Sequence, residues 1–169
     1  LAKAQVHALE KKHAQLTVVS VERFPAPTRR LILAQGLPKA SKLEWIIEKS
    51  VELGVTDLWI FPGHLSEKKQ LSESQMARLH TIIISAMKQC GRLYIPNLEI
   101  KPPLLMWNEL PEQIKGFFGD TTGLAKHLIT LCPKDSDTLL AIGPEKGFHF
   151  KETQYLADSL GCMAAKLHT

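Results

Sequence analysis

The pattern of apolar and polar positions divides the chain into two unequal parts. Over residues 4–9 and 16–21 apolar and polar residues mix at strand-like spacing, and Glu10-Lys11-Lys12-His13 between them reads as a hairpin tip. Two strands alone are marginal, so residues 1–22 are expected to be the last strands of a larger β domain. Phe24-Pro25-Ala26-Pro27-Thr28 then reads as a linker, because its prolines hold the backbone extended and disfavour helix. The boundary is placed at residues 23–28, and a second domain at 29–169.

From residue 31 the pattern alternates between strand and helix. Residues 31–34 form an apolar run. Ser41 and Glu44 have capping-box spacing. Trp45, Ile46, Ile47, Val51 and Leu53 continue an apolar face, and Gly54 suits the position after a helix end. Residues 56–61 predict the next strand, stopped by Pro62-Gly63. Ser72 is a candidate cap for a helix to about residue 89, whose stripe of Met76, Leu79, Ile82, Ile83 and Ala86 is expected in the core. Short strands are expected at 98–100 and 114–118, a short helix at 104–110 and a polar loop at 119–123. The clearest element is the apolar run 138–142, which ends abruptly in Gly143-Pro144-Glu145-Lys146-Gly147-Phe148. A helix near 151–160 and a strand at 163–167 follow. The fold class is α/β, a parallel sheet flanked by helices. In such a sheet ligands bind outside the carboxyl ends of the strands, which makes the bend at 143–148 the first candidate site.

Composition narrows this only a little. The chain has 169 residues, 44% of them hydrophobic and 22% charged, with a formal charge of +4. A mild positive charge permits a nucleic-acid partner without requiring one. The 3 cysteines, Cys90, Cys132 and Cys162, are widely spaced, and the 7 histidines do not cluster. No metal is expected, nor a disulfide framework, and a cytoplasmic location is. Cys90 and Trp45 are expected to be buried, and Trp107 is left open. No apolar run is long enough to cross a bilayer, and residues 1–12 lack the apolar core of a signal peptide. Leu1 in place of an initiator methionine points to a start further upstream.

Several motifs occur in order. They are Leu33-Ala34-Gln35-Gly36-Leu37-Pro38-Lys39, then residues 42–55 with Glu44, Trp45, Glu48, Glu52 and Gly54. Gln89-Cys90-Gly91-Arg92 with Ile95-Pro96 follows, and finally Ile142-Gly143-Pro144-Glu145-Lys146-Gly147-Phe148 with Glu152. In this spacing the chain resembles the RsmE family of the SPOUT superfamily, which methylates N3 of a uridine in small-subunit (16S) ribosomal RNA. The resemblance implies an N-terminal PUA-like β-barrel, of which residues 1–22 are the remnant. It also implies a trefoil-knotted α/β domain, a homodimer and S-adenosyl-L-methionine as cofactor. Ribosomal RNA or the small ribosomal subunit is the implied partner.

By the same resemblance Phe118, Gly119, Ile142, Gly143, Pro144, Glu145, Gly147 and Leu167 are expected at the cofactor. There are three departures. Lys146 stands where the family has a first glycine, and is strained if that position needs φ > 0. Ser66-Glu67-Lys68 replaces a Glu-Arg-Ser. The chain stops at Leu167-His168-Thr169, where the family continues into an Arg-Thr-Glu-Thr knot segment, so the resemblance implies an incomplete pocket.

The candidate catalytic residues are Arg92 and Glu145. Arg92 either anchors an RNA phosphate or stabilises a uridine oxyanion, or it is a helix-terminal cation near exposed carbonyls. Glu145 either contacts cofactor or substrate, or satisfies nearby backbone N–H groups. Glu152 is more simply a first-turn helix acid. Lys39 and Lys42 flank a helix N-terminus, where an anion would bind. With Arg29, Arg30, Gln89 and Arg92 they make a candidate RNA footprint, to which Lys68 and Lys69 would add. Two alternatives to the methyltransferase are an RNA-binding module that has lost catalysis and an enzyme of the same fold acting on another RNA site.

Overall fold

The computed structural model describes residues 1–166. In chain order the elements are β1 (Ala2–Leu9), β2 (Ala14–Val21), β3 (Leu31–Gly36), α1 (Ala40–Glu52), β4 (Asp57–Phe61), α2 (Glu73–Cys90) and β5 (Asn97–Ile100). Then come β6 (Ile114–Gly119), α3 (Leu128–Leu131), β7 (Asp137–Ile142), α4 (Phe150–Asp158) and β8 (Met163–Ala165). β1 and β2 pair only with each other, antiparallel, and every side chain on them is exposed. The other strands form a six-stranded, all-parallel sheet in the order β5-β4-β3-β7-β6-β8.

The pleat sorts the central strands onto two cores. Ile32 and Ala34 of β3, Trp59 and Phe61 of β4 and Leu139 and Ala141 of β7 face α4, and Leu156 of that helix and Leu160 just after it cover them. Leu58 and Ile60 face the other way, onto Leu43, Ile47 and Val51 of α1 and Leu79, Ile83 and Ala86 of α2. The stripe on α2 is thus in place, with Met76 and Ile82 packed at its margin. The capping box on Ser72 forms with Gln75, and Gly91 ends α2 in the left-handed region at φ 74°. Gly54 does the same after α1, at φ 94°.

Four local expectations are corrected, and the position left open at Trp107 is settled. Helix α1 starts at Ala40, with Lys39 at its N-cap and no side-chain cap, so Ser41 is not the capping residue. Glu44 instead accepts two hydrogen bonds from Arg78 of α2, at 2.5 and 2.7 Å. Trp45 is 63% exposed. It lies two residues from both Leu43 and Ile47, which puts it on the opposite side of the helix from the buried stripe. Trp107, by contrast, is buried, edge-on to Trp59 and Phe61. Cys90 is exposed in the last turn of α2. The buried thiol is Cys162, whose pKa burial pushes up to about 12. The helix expected at 104–110 is a single 3-10 turn, Leu104–Met106.

Replacing Leu156, fully buried at the centre of the α4 core, with alanine should lower stability by about 2–5 kcal/mol. Trp45→Ala should change it by less than about 0.5 kcal/mol. Urea midpoints of the two variants check the pair, and equal losses would contradict the assigned faces.

Candidate functional site

From β3 the chain turns to α1 on one face of the sheet, and from β7 to α4 on the other. Diverging connections open a crevice between the carboxyl ends of two adjacent parallel strands. The bend from Gly143 to Phe148 occupies that point. Buried Gln35, the last side chain of β3 before Gly36, donates its Nε2 to the carbonyls of Gly36 at 2.8 Å and Gly143 at 3.1 Å. Pro144 is buried between the end of β3 and the loop after β4. A Cβ on Gly36 would stand 2.7 Å from its Cδ, and one on Gly63 would stand 3.1 Å from it. A Cβ on Gly143 would meet the backbone of Gly147 at 2.7 Å. Only glycine lets the bend close this tightly. Gly147 takes the positive φ, 75°, and donates its N–H to the Pro144 carbonyl at 2.8 Å. Lys146 therefore carries no left-handed strain, contrary to expectation.

Two carboxylates anchor the bend. Glu145 accepts the Lys39 N–H at 2.9 Å and lies 4.0 Å from Lys42 Nζ. The bond from the Lys39 N–H, first, and then the Glu145 backbone N–H and the two lysine charges hold its carboxyl below the ordinary 4.5. Helix α1 has no acid in its first turn, so Glu145 supplies from outside the anion that its N-terminus favours. Glu152 is 2% exposed and is the N3 residue of α4. One oxygen accepts the His64 N–H at 2.8 Å and the other the His149 N–H at 2.9 Å. It is the first-turn acid expected, and it also ties the loop after β4 to α4.

Beyond the bend, Gly119 and Ile142 end β6 and β7, and Gly119 is paired with Ala165 of β8. Gly119, Ile142 and Gly143 are half-buried. Phe118 is buried and edge-on to Phe148, at 6.4 Å and 89°. These residues form one rim of glycine backbone and apolar side chain across adjacent strand ends. Such a rim suits a flat, partly apolar ligand read by backbone groups. Leu167 lies outside the described residues.

The basic candidates divide. Arg29, Arg30 and Arg92 line one pocket of about 170 Å³ with Thr56, Tyr94 and Ile95, at the amino ends of the strands. Arg92 donates to the carbonyls of Val55 at 2.8 Å, Val51 at 3.0 Å and Gly54 at 3.4 Å, so it stands at the end of α1. Arg30 pairs with Asp57 at 2.7 Å, and its N–H bonds Asp137. Gln89 is exposed one turn before Arg92. Lys39 and Lys42 are at the opposite, carboxyl edge, beside Glu145. With strands of five or six residues rising about 3.3 Å per residue, the two edges are on the order of 17–20 Å apart. Arg92 and Glu145 do not meet in one centre within a single chain.

A family model of the RNA methyltransferase domain matches residues 25–169. The chain belongs to that family. It is 30% identical over 145 residues to Ribosomal RNA small subunit methyltransferase E of Mesomycoplasma hyopneumoniae (strain 232), covering 83% of this chain and 62% of that protein. To the protein of the same name in Bacillus subtilis (strain 168) it is 25% identical over 179 residues, 95% of this chain and 67% of the other. The chain thus spans about two thirds of the length of these curated relatives. A crystal structure of Ribosomal RNA small subunit methyltransferase E from Neisseria gonorrhoeae, bound to S-adenosyl methionine, superposes with TM-score 0.83 at 24% identity. It covers 98% of this chain, and the chain covers 69% of it. A Legionella pneumophila protein solved with its bound cofactor SAM gives 0.85 at 24% identity, covering 99% and 70%. These two likenesses are of fold. The resemblance read from the motifs and the parallel α/β sheet are both borne out.

In this RNA methyltransferase domain the anchoring roles of Gln35 and Glu152 were not foreseen. Gln35 had a signal, a polar residue ending an apolar strand. Glu152 had one too, lying three residues after a helix-capping position that is here His149. No group of three or more metal-ligating side chains occurs among the described residues. Glu152→Ala should cost about 2–4 kcal/mol, because two enclosed N–H groups lose their acceptor. Glu152→Gln, with one acceptor left, should cost less. A second prediction concerns pH. The Glu145 carboxyl titrates below its unfolded value, so its contribution is complete above that value and is lost as acid carries it through the lower, folded one. Glu145→Gln should flatten that acid-side loss. Urea midpoints across pH check both.

Proposed function

We propose that this chain is the methyl-transferring part of an S-adenosylmethionine-dependent enzyme that modifies N3 of a uridine in small-subunit ribosomal RNA. The observation that carries this reading is the ordered motif set, which ends at a glycine bend on a sheet crevice. The names of the relatives support it. On this reading residues 1–22 belong to a PUA-like barrel, the α/β domain is of the trefoil-knot type, and the protein works in the cytoplasm. The wide separation of Arg92 from Glu145 favours a homodimer, in which a second copy brings an arginine edge toward the bend.

The residues present fit the cofactor in kind. Gly119 and Gly143 are only half-covered and carry no side chain over the rim, and half-buried Ile142 offers apolar contact. When bound, S-adenosylmethionine supplies a methyl group on a sulfonium, activated for in-line displacement. The protein's share is positioning. Gln35, Pro144 and Glu145 fix the bend, while Phe118 and Phe148 close its apolar side. A carboxyl held below its ordinary value is a poor proton acceptor near neutral pH. Glu145 is therefore a positioning residue in this account. Arg29, Arg30 and Arg92 supply positive charge for RNA phosphates.

Titration calorimetry of the full-length protein with S-adenosylmethionine should show binding. Mass spectrometry of ribosomal RNA digested after reaction should show N3-methyluridine. Absence of both ends the proposal.

A further inference from the structure

Beside the bend lies a feature that the methyl-transfer reading leaves unused. The ring centroids of His64 and His149 are 4.3 Å apart, and those of His149 and Phe150 are 4.5 Å apart. The three rings form a continuous tilted row from the loop after β4 to the start of α4. Its ends are open, since Phe150 is 64% exposed and His64 is also exposed. Phe150 is the first residue of α4, where a large apolar side chain facing water contributes nothing to the core.

The row does not rest on side-chain chance. Both histidine backbones donate to the one buried carboxylate of Glu152. His149 Nδ1 accepts the Lys151 N–H at 3.3 Å. At its His64 end the row borders a cavity of about 400 Å³, also lined by Lys69, Gln70, Pro103, Leu105 and Glu152. Lys69 Nζ donates to the carbonyls of Gly63 at 2.7 Å and His64 at 2.9 Å. An ammonium has three donors, so the third is left for an anion at the cavity. Lys68, Lys146 and Lys151 are exposed around the same edge.

Exposed rings flanked by cations are the equipment for unpaired nucleotides. Bases stack on the rings, and phosphates meet the ammonium groups. The two imidazoles and the exposed lysines around Phe150 favour a nucleotide strand over an apolar peptide or a lipid surface. We propose that His64, His149 and Phe150 form a stacking platform for unpaired RNA bases next to the target uridine. The cavity receives the base at the His64 end, and Lys69 contacts its phosphate. This inference rests on the methyltransferase reading for its choice of RNA, yet it can fail or stand without it.

The test uses fluorescence anisotropy with a labelled single-stranded oligouridylate of about 12 nucleotides, and the variant His64→Ala/Phe150→Ala. Affinity should fall roughly tenfold to a hundredfold, with thermal unfolding unchanged. Phe150→Tyr, which keeps a stacking ring, should bind like the parent. Equal affinity of the double variant and the parent overturns the platform. So does a loss that follows lowered thermal stability and persists in Phe150→Tyr. Calorimetry with S-adenosylmethionine on the same samples separates the two readings. Ring-dependent RNA binding without donor binding keeps the platform and removes methyl transfer. Donor binding together with ring-independent RNA binding does the reverse.

Discussion

The closure of one bend on the ends of its neighbours governs this site. Pro144 fits where Gly36 and Gly63 leave room, and Gly143 can fold back only because it has no Cβ. A methyl group at Gly36 or Gly143 would force a rigid ring or backbone aside, and one at Gly63 would crowd the same proline ring. In a close-packed interior such shifts are not absorbed locally. The ends of β3 and β7 and the loop after β4 are thereby fixed relative to each other. So are the starts of α1 and α4, through Glu145 and Glu152.

On the proposed reading this arrangement leaves the ends of β6 and β7 to face the methyl donor. The bend proper is occupied with packing, whereas Gly119, Ile142 and the outer edge of Gly143 are only half-covered. The rigid side and the receptive side of the crevice are therefore different residues of one short sequence. On the proposed reading the Gly143-Pro144-Glu145 segment combines the two jobs: the glycine lines the rim, while the proline and glutamate hold it still. The amino edge of the sheet is organised separately, around Arg30 with Asp57 and Arg92 with the end of α1.

Much of the fold was legible because local rules and tertiary packing agree there. The runs at 31–34, 56–61 and 138–142 are buried parallel strands, and α2 has both the cap and the stripe that its pattern predicts. The failures share a cause. Ser41 has a capping sequence, but the anion for α1 arrives from Glu145, more than a hundred residues away. Trp45 extends an apolar run, yet helical geometry points it to water. Arg92 and Glu145 both carry plausible chemistry, and only the strand order reveals that they sit at opposite edges. Local sequence holds no record of such distances. Lys146 would be strained only if the positive φ fell on it, and it falls one residue later, on Gly147.

The central claim is that the rim from Gly119 to the bend grips the methyl donor. Hydrogen–deuterium exchange of the full-length protein, with and without S-adenosylmethionine, measures this most directly. Slowed exchange confined to amides around Phe118–Gly119 and Ile142–Phe148 is the predicted result. Donor-dependent protection at the arginine edge around Arg29 and Arg92, with the rim unchanged, would contradict it.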